Sequence, residues 1–222
     1  MRELLSKFIL SSFLLLNVLV LLSCVSSEAR QDSNIVNTSP NTQSASWVSQ
    51  FSHIDPDKVL KKKQREKLLK YFHQNHQKIA NKNYLSLFDL SQNSSKQRYH
   101  LIDLKSGKVT SYLSAHGKGS DPDHDGIATI FSNKSGSHMT SLGFYLTAEK
   151  YIGSNGLSLR LDGLEKSNSN ARPRAIVIHG ADYVDPKRKK IGRSFGCPAF
   201  ERKYAKSIID KIAQGSLLLI TK

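Results

Sequence analysis

One cysteine and one histidine near the C-terminus have the residue types of a nucleophile and its base. Cys197 lies in the segment GRSFGCPAF, residues 192–200, and His179 ends the apolar run AIVIH, 18 positions earlier. An imidazole within hydrogen-bond reach can accept the proton of a thiol and activate it as a nucleophile. Gly196 has no side chain, which would let backbone N–H groups approach a developing oxyanion. Spacing alone leaves a second interpretation open, in which a core histidine and a buried thiol never meet.

The N-terminus predicts the compartment in which that thiol works. Basic residues at positions 2 and 7 precede an uncharged apolar stretch that ends at Ser23, the pattern of a secretory signal. The stretch is shorter than the ~20 residues that a membrane-spanning helix needs. The sequence LLSC at its end resembles a bacterial lipobox. We therefore predict a lipoprotein signal peptide over 1–23 and lipidation of Cys24, with cleavage by an ordinary signal peptidase as the alternative.

A lipid on Cys24 would leave Cys197 without a disulfide partner, because the chain has 2 cysteines. The acyl chains would bury methylene groups in a bilayer and tether the protein to it. We therefore expect a lipid-anchored protein of the cell envelope that faces the periplasm. Val25 and Ser26 lack the aspartate associated with retention in the inner membrane, which favours the outer membrane.

The charge of the chain narrows the class of partner. Lys and Arg number 33 against 18 Asp and Glu, which gives a formal net charge of +15. A basic surface favours polyanions. Export makes nucleic acid an unsuitable partner, whereas murein, with its carboxylate-bearing peptides, belongs to the envelope. We expect a monomer.

Composition divides the rest of the chain into three parts. Residues 24–54 are rich in Ser, Asn, Gln and Thr and read as a polar flexible linker. Residues 55–81 predict a basic amphipathic helix, with Asp55 and Pro56 as its cap and first turn. The remainder, 82–222, is long enough for a catalytic domain, and we predict that it forms one.

From residue 84 the apolar period changes from helical to extended. The turn KSGK at 105–108 predicts a hairpin between two of the extended segments. Ile208, Ile209 and Ile212 share one face of a late helix, for which Gly215 is the stop. We predict a helix over 201–214 and strands over 84–90, 98–104, 108–115, 142–148, 157–161, 175–179 and 216–221. The fold class is mainly β, with a few peripheral helices.

The segments IHGADYV and GRSFGCPA together resemble the active-site signature of the L,D-transpeptidases, a His-Gly followed by a loop and Ser-x-Gly-Cys. The similarity extends upstream through AHGKGS, FSNKSGSHMTSLGFY and GLSLRLDGLE, and it covers roughly residues 82–221. The chain is most similar to the murein L,D-transpeptidase catalytic domain family of the YkuD-like superfamily.

This resemblance implies a β-sandwich-like catalytic domain with Cys197 as acyl-accepting nucleophile and His179 as its base. The Gly180 carbonyl would orient the imidazole, and the backbone amides of Cys197 and Gly196 would bind the oxyanion. The thiol would attack a murein stem peptide, release its terminal D-alanine and hold the rest as a thioester. An amine of a second stem peptide would then form a crosslink. The resemblance implies no metal and no organic cofactor.

Four more residues are candidates for roles around the thiol. We place His138, Tyr145 and Arg193 near the substrate. Each has an ordinary structural alternative, namely the cap of a turn, a strand-face position and a surface ion pair. Ser194 is expected to support the loop by hydrogen bonding.

The signature departs from the broader family pattern at three positions. Phe195 stands where histidine is common, and Pro198 and Ala199 stand where a polar or basic residue is common. These residues would influence the substrate that reaches the thioester more than they influence the reactivity of the nucleophile.

One acidic segment suggests a second kind of site. DPDHDG, residues 121–126, places Asp121, Asp123 and Asp125 at alternate positions ahead of a glycine, like the start of a calcium loop. Ser132 stands where an EF-hand has its twelfth-position glutamate. We therefore expect an acidic surface turn, with calcium binding as the alternative.

Three functions follow from these observations. The first is a cysteine-dependent L,D-transpeptidase that forms murein crosslinks. The second is an L,D-carboxypeptidase, or another murein-peptide hydrolase, that uses the same residues but delivers water. The third is a non-catalytic lipoprotein that grips murein through its basic surface.

Overall fold

A computed structural model describes residues 47–188 and 190–222 of the chain. The predicted signal peptide, Cys24 and most of the predicted linker lie outside these ranges. Within them, no helix has the length and apolar character required to cross a membrane.

The described chain forms an eight-stranded sheet with an α-helix against each face. The strand order is β3-β2-β1-β8-β4-β5-β6-β7. In chain order, the elements are α1 (Lys62–Asn75), β1 (Tyr84–Asp89), β2 (Tyr99–Asp103), β3 (Val109–Tyr112), β4 (Gly143–Gly153), β5 (Gly156–Gly163), β6 (Val177–Gly180), β7 (Ala199–Phe200), α2 (Arg202–Ile212) and β8 (Leu217–Thr221), with 3₁₀ turns at His76–Lys78 and Lys118–Ser120. The predicted mainly β class is confirmed, and the two-residue β7 is an addition to the predicted strands.

The last strand lies in the middle of the sheet. Leu218 of β8 is flanked by Ser86 of β1, in parallel register, and by Tyr145 of β4, in antiparallel register. Alternate β8 side chains point to opposite faces, as the pleat of a strand requires. Leu217 and Leu219 pack with α1, whereas the next residue along from each packs with α2. Both faces of β8 are therefore buried, which explains its continuous apolar run LLLI.

The two ends of the sheet meet. The Ala115 amide, just after β3, donates a hydrogen bond to the Ala199 carbonyl of β7, with 2.9 Å between nitrogen and oxygen. Tyr99 and Phe200 pack edge to face across the enclosed core, with ring centroids 4.6 Å apart. The sheet therefore curls on itself around one apolar core, which accounts for the sandwich-like arrangement.

The predicted start of the first helix is wrong. The helix begins at Lys62 rather than Asp55. Asp55 has φ 61°, outside the helical region, and its carboxylate accepts hydrogen bonds from the Val59 and Leu60 amides at 2.7 and 3.1 Å. The aspartate thus closes a turn ahead of α1, because its side chain competes with the helix for local backbone donors.

The end of the predicted linker is packed against the domain. Residues 47–50 are helical, and Phe51 and Ile54 are buried. The Phe51 ring contacts Phe72 of α1 edge to face, at 5.9 Å between centroids. Residues 51–54 of the predicted linker are therefore packed against α1.

Candidate active site

The sheet brings the predicted base and nucleophile to one place. His179 of β6 pairs in parallel register with Ala199 of β7, two residues after Cys197. The Val177 amide, two residues before His179 in β6, donates a hydrogen bond to the Cys197 sulfur at 3.4 Å. Both His179 and Cys197 line a cavity of about 240 Å³. The two residues thus share one cavity, which is the arrangement that the first interpretation requires.

The thiol is neutral at rest. Cys197 is partly buried, and burial raises the pKa of its thiol above the ordinary cysteine value, against the opposing effects of the Val177 amide and the positive charge of Arg174. The S–H group is directed at the Ala175 carbonyl, 3.7 Å away. Activation of the sulfur therefore requires a base that takes the proton when the substrate is bound.

The imidazole is arranged to be that base. Nδ1 of buried His179 lies 3.1 Å from the Gly180 carbonyl oxygen. Because a carbonyl can only accept, Nδ1 carries the proton and Nε2 keeps its lone pair. Burial lowers the pKa of His179, as does the charge of Arg202, while the Gly180 carbonyl opposes the shift. The ring is thus neutral near pH 7, with one nitrogen free to accept a proton.

The loop before Cys197 is held by Ser194. Its hydroxyl donates to the Cys197 carbonyl at 2.7 Å and accepts from the Gly196 amide at 3.1 Å. The Gly196 amide is therefore occupied. The Cys197 amide has no acceptor anywhere in the part of the chain that the structure describes. Of the two amides expected at the oxyanion, Cys197 N–H is the one available.

Gly196 is a position that no other residue fits. Its φ is +122°, and a Cβ there would lie 2.8 Å from the Met139 carbonyl oxygen and 2.9 Å from the Ile176 side chain. We expect Gly196→Ala to destabilise the fold by about 1–3 kcal/mol and to displace the Cys197 amide, so that the acyl transfer implied by the family resemblance falls as well. Urea unfolding and the transfer rate measure the two effects.

Gly136→Ala is the matched control for that substitution. Gly136 also has positive φ, +73°, but no heavy atom lies within 4 Å of its Cβ position. It should show the backbone strain alone, with acyl transfer unchanged. Equal losses in the two variants would mean that the packing around Gly196 is unimportant.

Behind the loop lies a buried polar network that the sequence did not predict. Arg98, His116 and Asp121 are all 1% exposed or less. Arg98 Nη2 donates to His116 Nδ1 at 2.5 Å, and His116 Nε2 donates to Asp121 Oδ2 at 3.2 Å. Burial lowers the pKa of His116 below its usual range, and the charge of Arg98 lowers it further. Neutral His116 therefore links a buried cation to a buried anion, and its carbonyl accepts from the Ser194 amide at 2.9 Å.

The acidic segment is hydrogen-bonded to residues 190 and 191. The Asp121 carboxylate accepts from the Asp125 and Gly126 amides at 3.0 and 3.2 Å, which forms the turn. His124 Nε2 donates to the Ile191 carbonyl at 3.1 Å, and Lys190 Nζ donates to the His124 carbonyl at 2.7 Å. The turn thus fastens the chain just before the nucleophile loop.

The calcium alternative finds no support in this turn. Asp121 is buried, whereas Asp123 and Asp125 are exposed, and the Asp125 carboxylate accepts from the Ile127 amide at 2.7 Å. Among the described residues, no three His, Cys, Asp or Glu side chains converge as a metal site. The carboxylates organise backbone amides instead.

The sequence match decides the family. The profile of the L,D-transpeptidase catalytic domain matches residues 56–221, which include every strand of the described residues and the helices α1 and α2. The chain belongs to the L,D-transpeptidase catalytic domain family. No curated protein shows significant sequence similarity to it.

Solved L,D-transpeptidase structures resemble this family member at low identity. They include an L,D-transpeptidase from Mycobacterium smegmatis (12% identity, 63% of this chain and 59% of that chain, TM-score 0.40) and L,D-transpeptidase 3 from Mycobacterium tuberculosis (12%, 63% and 60%, 0.42). The helical cell shape determining protein Pgp2 from Campylobacter jejuni also resembles the chain (13%, 64% and 49%, TM-score 0.38). The chain spans about half to three-fifths of the length of these proteins.

Of the three residues predicted near the substrate, the structure places one on the cavity wall of this L,D-transpeptidase domain. Arg193 lines the cavity, and its guanidinium donates to the Asp121 carbonyl rather than to a surface acid. His138 lies beside the cavity and stacks on Phe195, with ring centroids 4.3 Å apart. Tyr145 is fully buried, and its hydroxyl donates to the Ser141 carbonyl at 2.8 Å. Its strand-face alternative fits the structure, because a side chain with no exposed surface cannot contact substrate without rearrangement.

Three residues of the cavity wall were not predicted. The sequence identifies Phe195 only as a departure from the family pattern. Tyr183 lies in the segment IHGADYV, which gives no separate role for it. Asn155 reaches the cavity from the β4–β5 hairpin, where its carbonyl accepts from Arg202 Nη1 at 3.2 Å. No sequence pattern links Asn155 to the nucleophile, because only tertiary packing brings that hairpin to the site.

Buried histidines should make this L,D-transpeptidase domain sensitive to acid. Burial lowers the pKa of His100, His116 and His179. Below the ordinary histidine pKa of about 6.5, the unfolded chain therefore binds more protons than the folded chain does. The free energy of unfolding then decreases as the pH is lowered. The slope can reach about 1.4 kcal/mol per pH unit for each such group.

Urea unfolding between pH 7.5 and 5 measures that slope. We expect His100→Gln to reduce it, because one buried titrating group is removed. His53→Gln, at an exposed histidine, is the matched control. A slope that His100→Gln leaves unchanged would contradict the assignment of acid sensitivity to buried imidazoles.

Proposed function

We propose that the domain is a cysteine-dependent L,D-transpeptidase that acts on murein stem peptides through a thioester on Cys197. The observation that carries the proposal is the shared cavity of Cys197 and His179, with Nδ1 of the histidine fixed by the Gly180 carbonyl and the Cys197 amide unoccupied. The family supports the reaction class.

The first half of the reaction forms the thioester. His179 Nε2 takes the thiol proton while the sulfur attacks the carbonyl carbon that precedes a D-amino acid. The carbonyl oxygen becomes an oxyanion and accepts a hydrogen bond from the Cys197 amide. The C–N bond then breaks, and the proton on His179 goes to the departing amine. The neutral resting forms of Cys197 and His179 suit these steps, since the ring first accepts the thiol proton and then gives it to the departing amine.

The second half releases the peptide to an acceptor. An amine of another stem peptide attacks the thioester carbon and loses a proton to His179. The C–S bond breaks, the new amide is the crosslink, and the proton returns to the sulfur. Water in place of the amine would give a shortened peptide by the same steps.

Mass analysis of products tests the proposal. The purified domain is incubated with murein stem tetrapeptides, with Cys197→Ala as the control for the nucleophile. Crosslinked dimers from the native chain alone support the transpeptidase. Shortened peptides alone would support the hydrolase, and binding without any product in either protein would support a non-catalytic murein-binding protein.

The envelope location and lipid attachment at Cys24 are proposals of the same kind, drawn from residues outside the described ranges. Metabolic labelling with a fatty acid, lost in Cys24→Ala, tests them.

A further inference from the structure

The segment AHGKGS, residues 115–120, fixes one lysine beside the nucleophile loop. Gly117 forms a β-bridge with Ser194, and the Lys118 amide donates to the Ser194 carbonyl at 2.8 Å. A Cβ on Gly117 would overlap the His138 carbonyl oxygen, so this close approach needs glycine. The backbone of Lys118 is therefore held in place relative to Cys197.

The side chain of Lys118 lies at the mouth of the cavity. Its ammonium is 4.6 Å from the centroid of the Phe195 ring, a cation–π distance, and the residue is exposed. Phe195 lines the cavity with Cys197 and is itself 63% exposed. His138 stacks on the same ring. An exposed aromatic ring and a cation thus stand together next to the thiol.

The charges at this mouth are not neutralised by the protein. Among the described residues, neither Lys118 nor Arg193 forms an ion pair with a carboxylate. The nearby Asp121 is buried on His116, and Asp182 pairs with Arg202 at 2.5 Å. The Lys118 and Asp121 carbonyls accept hydrogen bonds from Arg193 Nη1 but do not neutralise its charge. The mouth is therefore electropositive and suits an anionic group.

We propose that Lys118 and Phe195 form a subsite for a carboxylate of the acyl donor. The ammonium pairs with the carboxylate, and the ring packs against the adjoining aliphatic carbons. This inference rests on the proposed function for the identity of the donor, a murein stem peptide. Such a peptide, once the free α-carboxyl of its γ-linked second residue is amidated, offers two carboxylates, one at its C-terminus and one on the side chain of its third, diamino-acid residue.

Binding to Cys197→Ala tests the subsite apart from catalysis, because that variant binds donors without reacting. Three tetrapeptides are compared by calorimetry: one with both carboxylates free, one amidated at the C-terminus, and one amidated at the side-chain carboxylate. We expect one of the two amides to bind about tenfold more weakly than the free peptide, and which one it is identifies the carboxylate bound.

Second substitutions in the Cys197→Ala background assign that preference. Lys118→Gln should abolish it, and Lys118→Arg should keep it. Lys63→Gln, which removes an exposed lysine of α1, should leave it intact. Equal binding of all three peptides, no binding of any, or a preference that survives Lys118→Gln would overturn the subsite. A preference that depends on Lys118, in a protein whose native form yields no product, would overturn the proposed function alone.

Discussion

Replacing His179 by alanine is expected to slow acyl transfer by about 10²- to 10⁴-fold, the contribution typical of a positioned general base. The reason is the resting state of the site. Burial raises the pKa of the Cys197 thiol and lowers the pKa of His179, and both shifts favour neutral groups over a thiolate–imidazolium pair before substrate binds. Without the ring, no base remains beside the sulfur among the described residues, since Arg174 is a cation.

The measurement is the single-turnover rate of thioester formation with a stem tetrapeptide, followed by mass spectrometry. Alkylation of Cys197 near neutral pH should slow in parallel. Added imidazole should restore part of the rate in His179→Ala, because it can occupy the space the side chain leaves. His100→Ala, which also removes a buried histidine, is the control for general damage to the fold. Undiminished rates in His179→Ala would remove the case for the pair.

Replacing Asp121 by alanine is expected to lower the free energy of unfolding by about 3–5 kcal/mol, the usual cost of breaking a buried charged network. The substitution leaves His116 Nε2–H and the Asp125 and Gly126 amides without their acceptor. It also removes one of the two carboxylates, the other being Asp89, whose negative charges offset the buried charge of Arg98. Since whole domains are stable by about 5–15 kcal/mol, this loss is a large fraction of the total stability.

Urea unfolding compares this variant with two others. Asp125→Ala removes an exposed carboxylate of the same turn, which accepts one amide at 2.7 Å, and should cost about 1 kcal/mol. Asp121→Asn keeps an acceptor and should fall between the two. If Asp121→Ala cost no more than Asp125→Ala, the network would not be what holds the turn.

Most of the strands could be predicted because apolar alternation and turn residues are local signals. The first helix could not be placed correctly, because Asp55 before Pro56 resembles a helix cap until its positive φ is known. Phe51 was assigned to a linker because a single aromatic residue in a polar segment gives no period. The strand β7 has two residues, too few for any pattern.

The pair at the site could be predicted because His179 and Cys197 belong to a short family signature. The residues around it could not, because their roles arise from contacts between distant segments. Arg98 and His116 lie in segments that read as strand ends, and only folding joins them to Asp121. Tyr145 alternates with Phe144 and Leu146, but both faces of β4 are buried there, so alternation could not show which side chain is exposed.

The central position of β8 also has a consequence for the order of events during synthesis. The strand follows all the others in the sequence, yet β1 and β4 pair with it and not with each other. Until Leu217–Thr221 have left the ribosome, the two halves of the sheet have no shared strand to join them. Such contacts between early and late segments slow folding. The sheet therefore becomes continuous only after β8 has been synthesised.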